Sequence, residues 1–245
     1  MQGRPIACKP EGLHLQVDAV LNLLPEECDE LQITGTVSRL LILLMGGGTQ
    51  HKLFTIVSEI YNRARWQNQW VTISAKLLRH IYHTIDSTLV DLNLQTHFDL
   101  YGNMSTLAQG CDLVECIVLN LYDEYLQKEL PTAEWHSGLF CLLANMFLDV
   151  TFLEGNTICH ILEAMLSTEV LFHESNFNCF IDFILAIGYR LEISTFDPDI
   201  VDRFKKTLQK LQQRTDEGSV RQRATILGVF EIRRNNWSSA GLAVR

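Results

Sequence analysis

The sequence predicts an all-α chain, an α-solenoid of about five antiparallel helix pairs, and three observations carry that expectation. Five prolines stand at Pro5, Pro10, Pro25, Pro131 and Pro198, so long stretches are free of the residue that most disrupts a helix. Apolar residues recur at helical spacing along most of the chain, and no convincing run alternates apolar and polar residues as a half-buried strand would. The 245 residues are 47% hydrophobic, enough apolar surface for a substantial core.

Taken in order, Pro25 with Glu26 and Glu27 predicts a helix opening with acids at the positive end of its dipole. The apolar run from Val37 carries it to Met45, and Gly46, Gly47 and Gly48 stop it. His51 to Arg65 reads as an amphipathic helix and Val71 to Ile85 as its antiparallel partner. Thr88 to Tyr101 is predicted helical and Gly102 to Gly110 a loop. Cys111 to Leu130 pairs with a helix whose first turn is expected at Pro131 to Glu134, followed by Asn156 to Leu166 and Asn176 to Leu191. Asp197 is the expected cap of a helix with Pro198 in its first turn. The last helix runs from Ser219 toward Trp237, and its apolar residues Val220, Ala224, Ile226, Leu227, Val229, Phe230 and Ile232 predict a helix wedged into a stack. The repeating unit is near forty residues, the size of a HEAT-type pair.

Net charge is -9 but unevenly spread: residues 201 to 245 carry +6 and the first 200 carry -15. An acidic majority repels phosphate backbones, so nucleic-acid contact is expected to be weak and confined to the basic end, with Lys205, Lys206 and Lys210 as candidate RNA contacts. The N-terminal MQGRPIACKP has no secretory apolar segment, and the run Leu40 to Met45 is too short to span a bilayer. Seven scattered cysteines amid apolar neighbours fit core residues of a reducing compartment. A soluble protein of the cytoplasm, present in the nucleus as well, is the expectation.

The motifs of enzymes and cofactor sites are incomplete. Gly46 to Gly48 and Lys52 lack the Gly-Lys-Ser/Thr ending and preceding strand of a phosphate loop. His80 and His83 share a helical face without a partner cluster at metal-ligand spacing, and Cys159 and His160 are neighbours that point different ways on a helix. No catalytic set, metal site or cofactor is expected.

Several blocks resemble, in order, the middle domain of eukaryotic translation initiation factor 4 gamma. They are AVLNLLPEECDEL at 19–31, FTIVSEIYNRARWQNQWVTISAKLLRHI at 54–81, LVECIVLNLYDEYLQKE at 113–129, LFCLLANMFLDVTFLEG at 139–155, FNCFIDFILAIGYRLE at 177–192 and the ending EIRRNNW. Residues 87–110 have no counterpart. The layout is similar to that of the family's small single-domain adaptors, with the domain at 12–237 between flexible ends at 1–11 and 238–245. The resemblance implies a non-enzymatic adaptor in translation or RNA processing that binds a DEAD-box RNA helicase or a translation initiation factor. It also implies partner contacts at Ile232, Arg233, Arg234 and Trp237. The alternative is a peptide-binding bridge between an mRNA-binding protein and the translation machinery, and a homodimer is compatible with either. YLQKEL at 125–130 is partly similar to the peptide by which such scaffolds bind the cap-binding protein, but Pro131 breaks the pattern and repeat packing is the expected role of Tyr125 and Leu130.

Overall fold

In the computed structural model, residues 10–45, 49–85, 111–149, 153–193 and 197–238 are described, and among them every regular element is helical. Ten α-helices follow one another: α1 (Pro10–Leu21), α2 (Glu30–Leu43), α3 (Thr49–Trp66), α4 (Val71–Thr84), α5 (Cys111–Lys128), α6 (Ser137–Leu148), α7 (Gly155–Ser167), α8 (Glu174–Glu192), α9 (Pro198–Gln213) and α10 (Val220–Arg234). The all-α expectation holds. The chain divides into two compact units, Met1–Tyr122 and Asp123–Arg245. The glycines 46–48 and the stretch 88–110 lie outside the described residues.

In the first unit α1 packs on α2 and α3 on α4, while α1 also lies against α3 and α2 against α4, giving two stacked helix pairs. The first of these turns differs from expectation. Pro25, Glu26 and Glu27 lie in the connection, and α2 begins at Glu30 because Asp29 caps it. The Asp29 carboxylate accepts from the Gln32 backbone N–H while the Gln32 side chain accepts from the Asp29 N–H, a reciprocal pairing that satisfies two otherwise orphaned donors. Buried Ser74 donates to the Ile60 carbonyl, tying α4 to α3. Tyr61 and Tyr122 meet edge to face with centroids 5.1 Å apart.

In the second unit α6 packs on α8, α7 on α9, and α8 on both α9 and α10. Pro131 is again in a turn, and α6 starts at Ser137. That turn is held by Asn176, fully buried, which accepts from the Trp135 N–H and donates to the carbonyls of Ala133 and Val170. A buried amide is tolerated here because its donors and acceptor all find partners. Tyr125 and Leu130 are core residues. Asp197 caps α9 with Pro198 in the first turn, as its sequence predicts. Arg214 crosses from the end of α9 to the carbonyls of Leu166 and Thr168, with its guanidinium over the Phe172 ring.

The last helix corrects the sequence reading. Of its apolar residues only Ile226 and Val229 are buried, whereas Leu227 is 61% and Val220 76% exposed and Ala224 faces solvent. α10 packs on α8 alone among the helices with which it makes extended contact, so one stripe suffices: Phe230 and Ile232 are half-buried, and Val220, Ala224 and Leu227 face outward. Phe54 and Leu185 are likewise partly exposed.

Candidate functional site

The residues that the resemblance singles out form an internal lock at the end of α10. Asn236 and Trp237 both have positive φ, 51° and 59°. The Trp237 N–H donates to the Ile232 carbonyl at 2.8 Å and the Asn236 N–H to the Arg233 carbonyl at 3.0 Å. This is the double closure of a Schellman cap, with Asn236 supplying the left-handed residue that asparagine adopts more readily than most. The cap turns Trp237 back onto α8. There its indole N–H donates to Glu192 Oε2 at 2.6 Å, and Arg233 Nε donates to Glu192 Oε1 at 2.6 Å. The indole lies over Gly188, where a Cβ would come within 2.3 Å of the ring, and 5.9 Å from the Phe204 ring. Trp237 and Arg233 are therefore half-buried and spent on holding α8, α9 and the end of α10 together. Ile232 is half-buried, while Arg234 points outward beside Glu231. Sequence reasoning missed Glu192 and Gly188; the legible signals were a glycine inside a helix and the paired asparagines after α10.

Lys205, Lys206 and Lys210 are all exposed on α9, with Lys205 3.6 Å from Asp202. They form a solvated basic face apart from the Glu192 lock. His80 Nε2–H donates to Glu30 Oε1 at 2.6 Å, and this hydrogen bond to the carboxylate holds the Glu30 carboxyl below its ordinary value. Among the described residues no group of three or more His, Cys, Asp or Glu is placed to hold a metal ion. Burial raises the Cys159 thiol to about 11 and pushes Cys179 higher still, the reverse of what a nucleophile needs.

A different surface of the second unit exposes apolar side chains along two neighbouring helices. Ala133 and Trp135 stand against Asn176, and Phe140 against Phe183, which fixes a parallel register between α6 and α8. Arg221 pairs with Glu174 and Arg233 with Glu192, so α10 runs parallel to α8 as well. Along this face α6 presents Cys141, Asn145 and Leu148, and α8 presents Asp182, Leu185, Ala186 and Tyr189 at helical spacing, followed by Ile193. Leu148 is 47% exposed, Tyr189 52% and Ile193 44%, and it is their recurrence along one face, with Leu185 and Ala186 between them, that sets them apart from scattered apolar residues. Asp182 lies within this strip, and partial burial raises its carboxyl above the ordinary range. Next to it, between α8 and α10, is a cleft of about 310 Å³ lined by Phe172, Glu174, Asn178, Arg221 and Thr225.

Comparison with known proteins finds no matching family model and no matching curated protein. No described helix is long and apolar enough to cross a membrane.

Proposed function

We propose that this protein is a non-enzymatic helical adaptor in messenger RNA translation or processing that docks a short amphipathic segment of a partner on the α6–α8 face of its second unit. The placement of Leu148, Leu185, Ala186, Tyr189 and Ile193 in one exposed strip around Asp182 is the observation that carries the docking surface. The role in translation rests on the resemblance to the initiation-factor middle domain. The occupant is an apolar helix or turn with a basic residue opposite Asp182, since the first 200 residues carry -15 and a carboxylate partly stripped of water gains most from a cationic partner.

A DEAD-box helicase is the partner class that the resemblance implies, yet the aromatic anchor it would use is committed to Glu192 and Gly188. A bridging adaptor is thus better supported than a helicase clamp centred on Trp237. Quantitative affinity purification from the native cells separates the two. Leu185→Arg with Tyr189→Asp should remove the partner set while the helical spectrum stays native. If that variant keeps every partner and an exposed-side Arg234→Glu variant loses them, the docking face is misplaced and the helicase reading takes over.

A further inference from the structure

The first unit holds a cleft of about 490 Å³ between the C-terminal ends of α1 and α3, lined among others by Asp18, Glu59, Asn62, Trp66 and Gln67. Two columns face each other across it. His14, Asp18 and Asn22 recur every four residues along and just past α1, while Glu59, Arg63 and Trp66 follow one side of α3. The pairs His14–Glu59, at 2.8 Å, and Asp18–Arg63 show that the columns run parallel. Both helices therefore point their negative dipole ends into the same space.

One guanidinium is already seated here. Arg63 donates to the Asp18 carboxylate, to the Asn22 amide oxygen at 2.8 Å and to the Asp18 carbonyl at 3.3 Å, and lies 4.5 Å over the Trp70 ring. Its side chain is only 11% exposed, so this set of carboxylate, amide oxygen and indole holds a cation in a place largely stripped of water. The rest of the cleft is lined by groups of the same kinds: the Glu59 carboxylate, one oxygen of which meets His14, the amides of Asn62 and Gln67, and Trp66, which lies under Arg65 at 4.7 Å and is 65% exposed.

We propose that this cleft binds an arginine side chain presented by a segment of another protein, with its guanidinium on Glu59 and its plane against Trp66. Asp18 and Glu59 are the carboxylates of the lining, Arg63 is its cation with Arg65 outside it over Trp66, and the helix ends add to the negative side. An arginine is favoured over lysine because a planar fork with five donors can serve several acceptors at once and stack on an indole. Glu59 carries a further sign of a ligand role. Its side chain is 14% exposed, and burial, more than the nearby His14, Asp18 and Arg63, sets its carboxyl, raising it above the ordinary value. Folding thus works against the charged form of this group, a cost that a bound cation would offset.

The test is a titration of the intact protein, its tryptophan indoles labelled with nitrogen-15, with the blocked peptides Ac-Gly-Arg-Gly-amide, Ac-Gly-Lys-Gly-amide and Ac-Gly-Gln-Gly-amide. The arginine peptide should move the Trp66 indole resonance saturably at millimolar concentration and leave those of Trp135 and Trp237 in place. The lysine peptide should bind at least about threefold more weakly, and the glutamine peptide should produce no saturable shift. Glu59→Gln should weaken arginine binding at least about fivefold and melt no lower than the parent at neutral pH, because the raised carboxyl marks a charge whose burial is unfavourable. Absence of a saturable shift with arginine, equal binding of arginine and lysine, or unchanged binding by Glu59→Gln would overturn the assignment.

Discussion

Gly188→Ala and Gly228→Ala make the same chemical change in the interior of two neighbouring helices, and their difference isolates the Trp237 lock. In each, alanine improves the intrinsic helical preference by about 1 kcal/mol. At Gly228 an added Cβ meets nothing within 4 Å, so that gain should survive, and the variant should be more stable by about 0.5–1 kcal/mol. At Gly188 the same atom would lie 2.3, 2.4 and 2.7 Å from three indole carbons of Trp237, so the ring must leave. Leaving breaks the indole bond to the Glu192 carboxylate, about 1.5–3 kcal/mol for a charged acceptor, and the ring contact with Phe204, about 1 kcal/mol more. Against the propensity gain, the net loss should be about 2 kcal/mol, and the two glycine variants should differ by about 3 kcal/mol. Urea denaturation followed by circular dichroism measures this, and tryptophan emission should shift to the red only in Gly188→Ala. If Gly188→Ala equals or exceeds Gly228→Ala in stability, Trp237 does not hold α8 and α9 as described.

Phe180→Ala should cost about 3–5 kcal/mol in the same denaturation experiment, since the ring is fully buried, whereas Leu227→Ala should change stability by less than about 0.5 kcal/mol because its side chain is exposed. With its thiol at about 11, Cys159 should be about one-thousandth thiolate at pH 8, and native-state alkylation read by mass spectrometry should leave it unmodified under conditions that modify the exposed Cys141. The Lys205→Glu, Lys206→Glu, Lys210→Glu variant should lose whatever low-salt affinity the protein has for single-stranded RNA, as measured by fluorescence anisotropy; equal binding by variant and parent would place RNA contact elsewhere.

Helix periodicity made most elements legible. α3, α4, α7 and α8 start and stop within two residues of the expected bounds because their apolar residues keep helical spacing up to a capping or breaking residue. The two errors share a cause. Pro25 and Pro131 each read as first-turn residues, but the local caps won: Asp29 with Gln32 starts α2 later, and the hydrogen bonds of Asn176 hold Pro131–Trp135 as a turn. The burial of Leu227 was misjudged for a different reason. Periodicity shows that a helix has apolar sides without showing how many neighbours it meets, and α10 is covered mainly by α8. The sequence points to Arg233 and Trp237 as partner contacts, whereas their contacts in the fold are internal: Glu192 and Gly188 lie more than forty residues away in sequence, and only folding brings them together. The Asp18–Glu59 cleft was hidden in the same way, since its two columns belong to different helix pairs.

Hydrogen–deuterium exchange of the purified protein, alone and with a partner recovered from native cells, tests the adaptor reading most directly. Slowed exchange should be concentrated at residues 182–192 of α8 with Ile193 and at 141–148 of α6, with the α9 lysine face unchanged. Protection centred on Arg234 and the turn at 235–237, with none along α6 and α8, would contradict it.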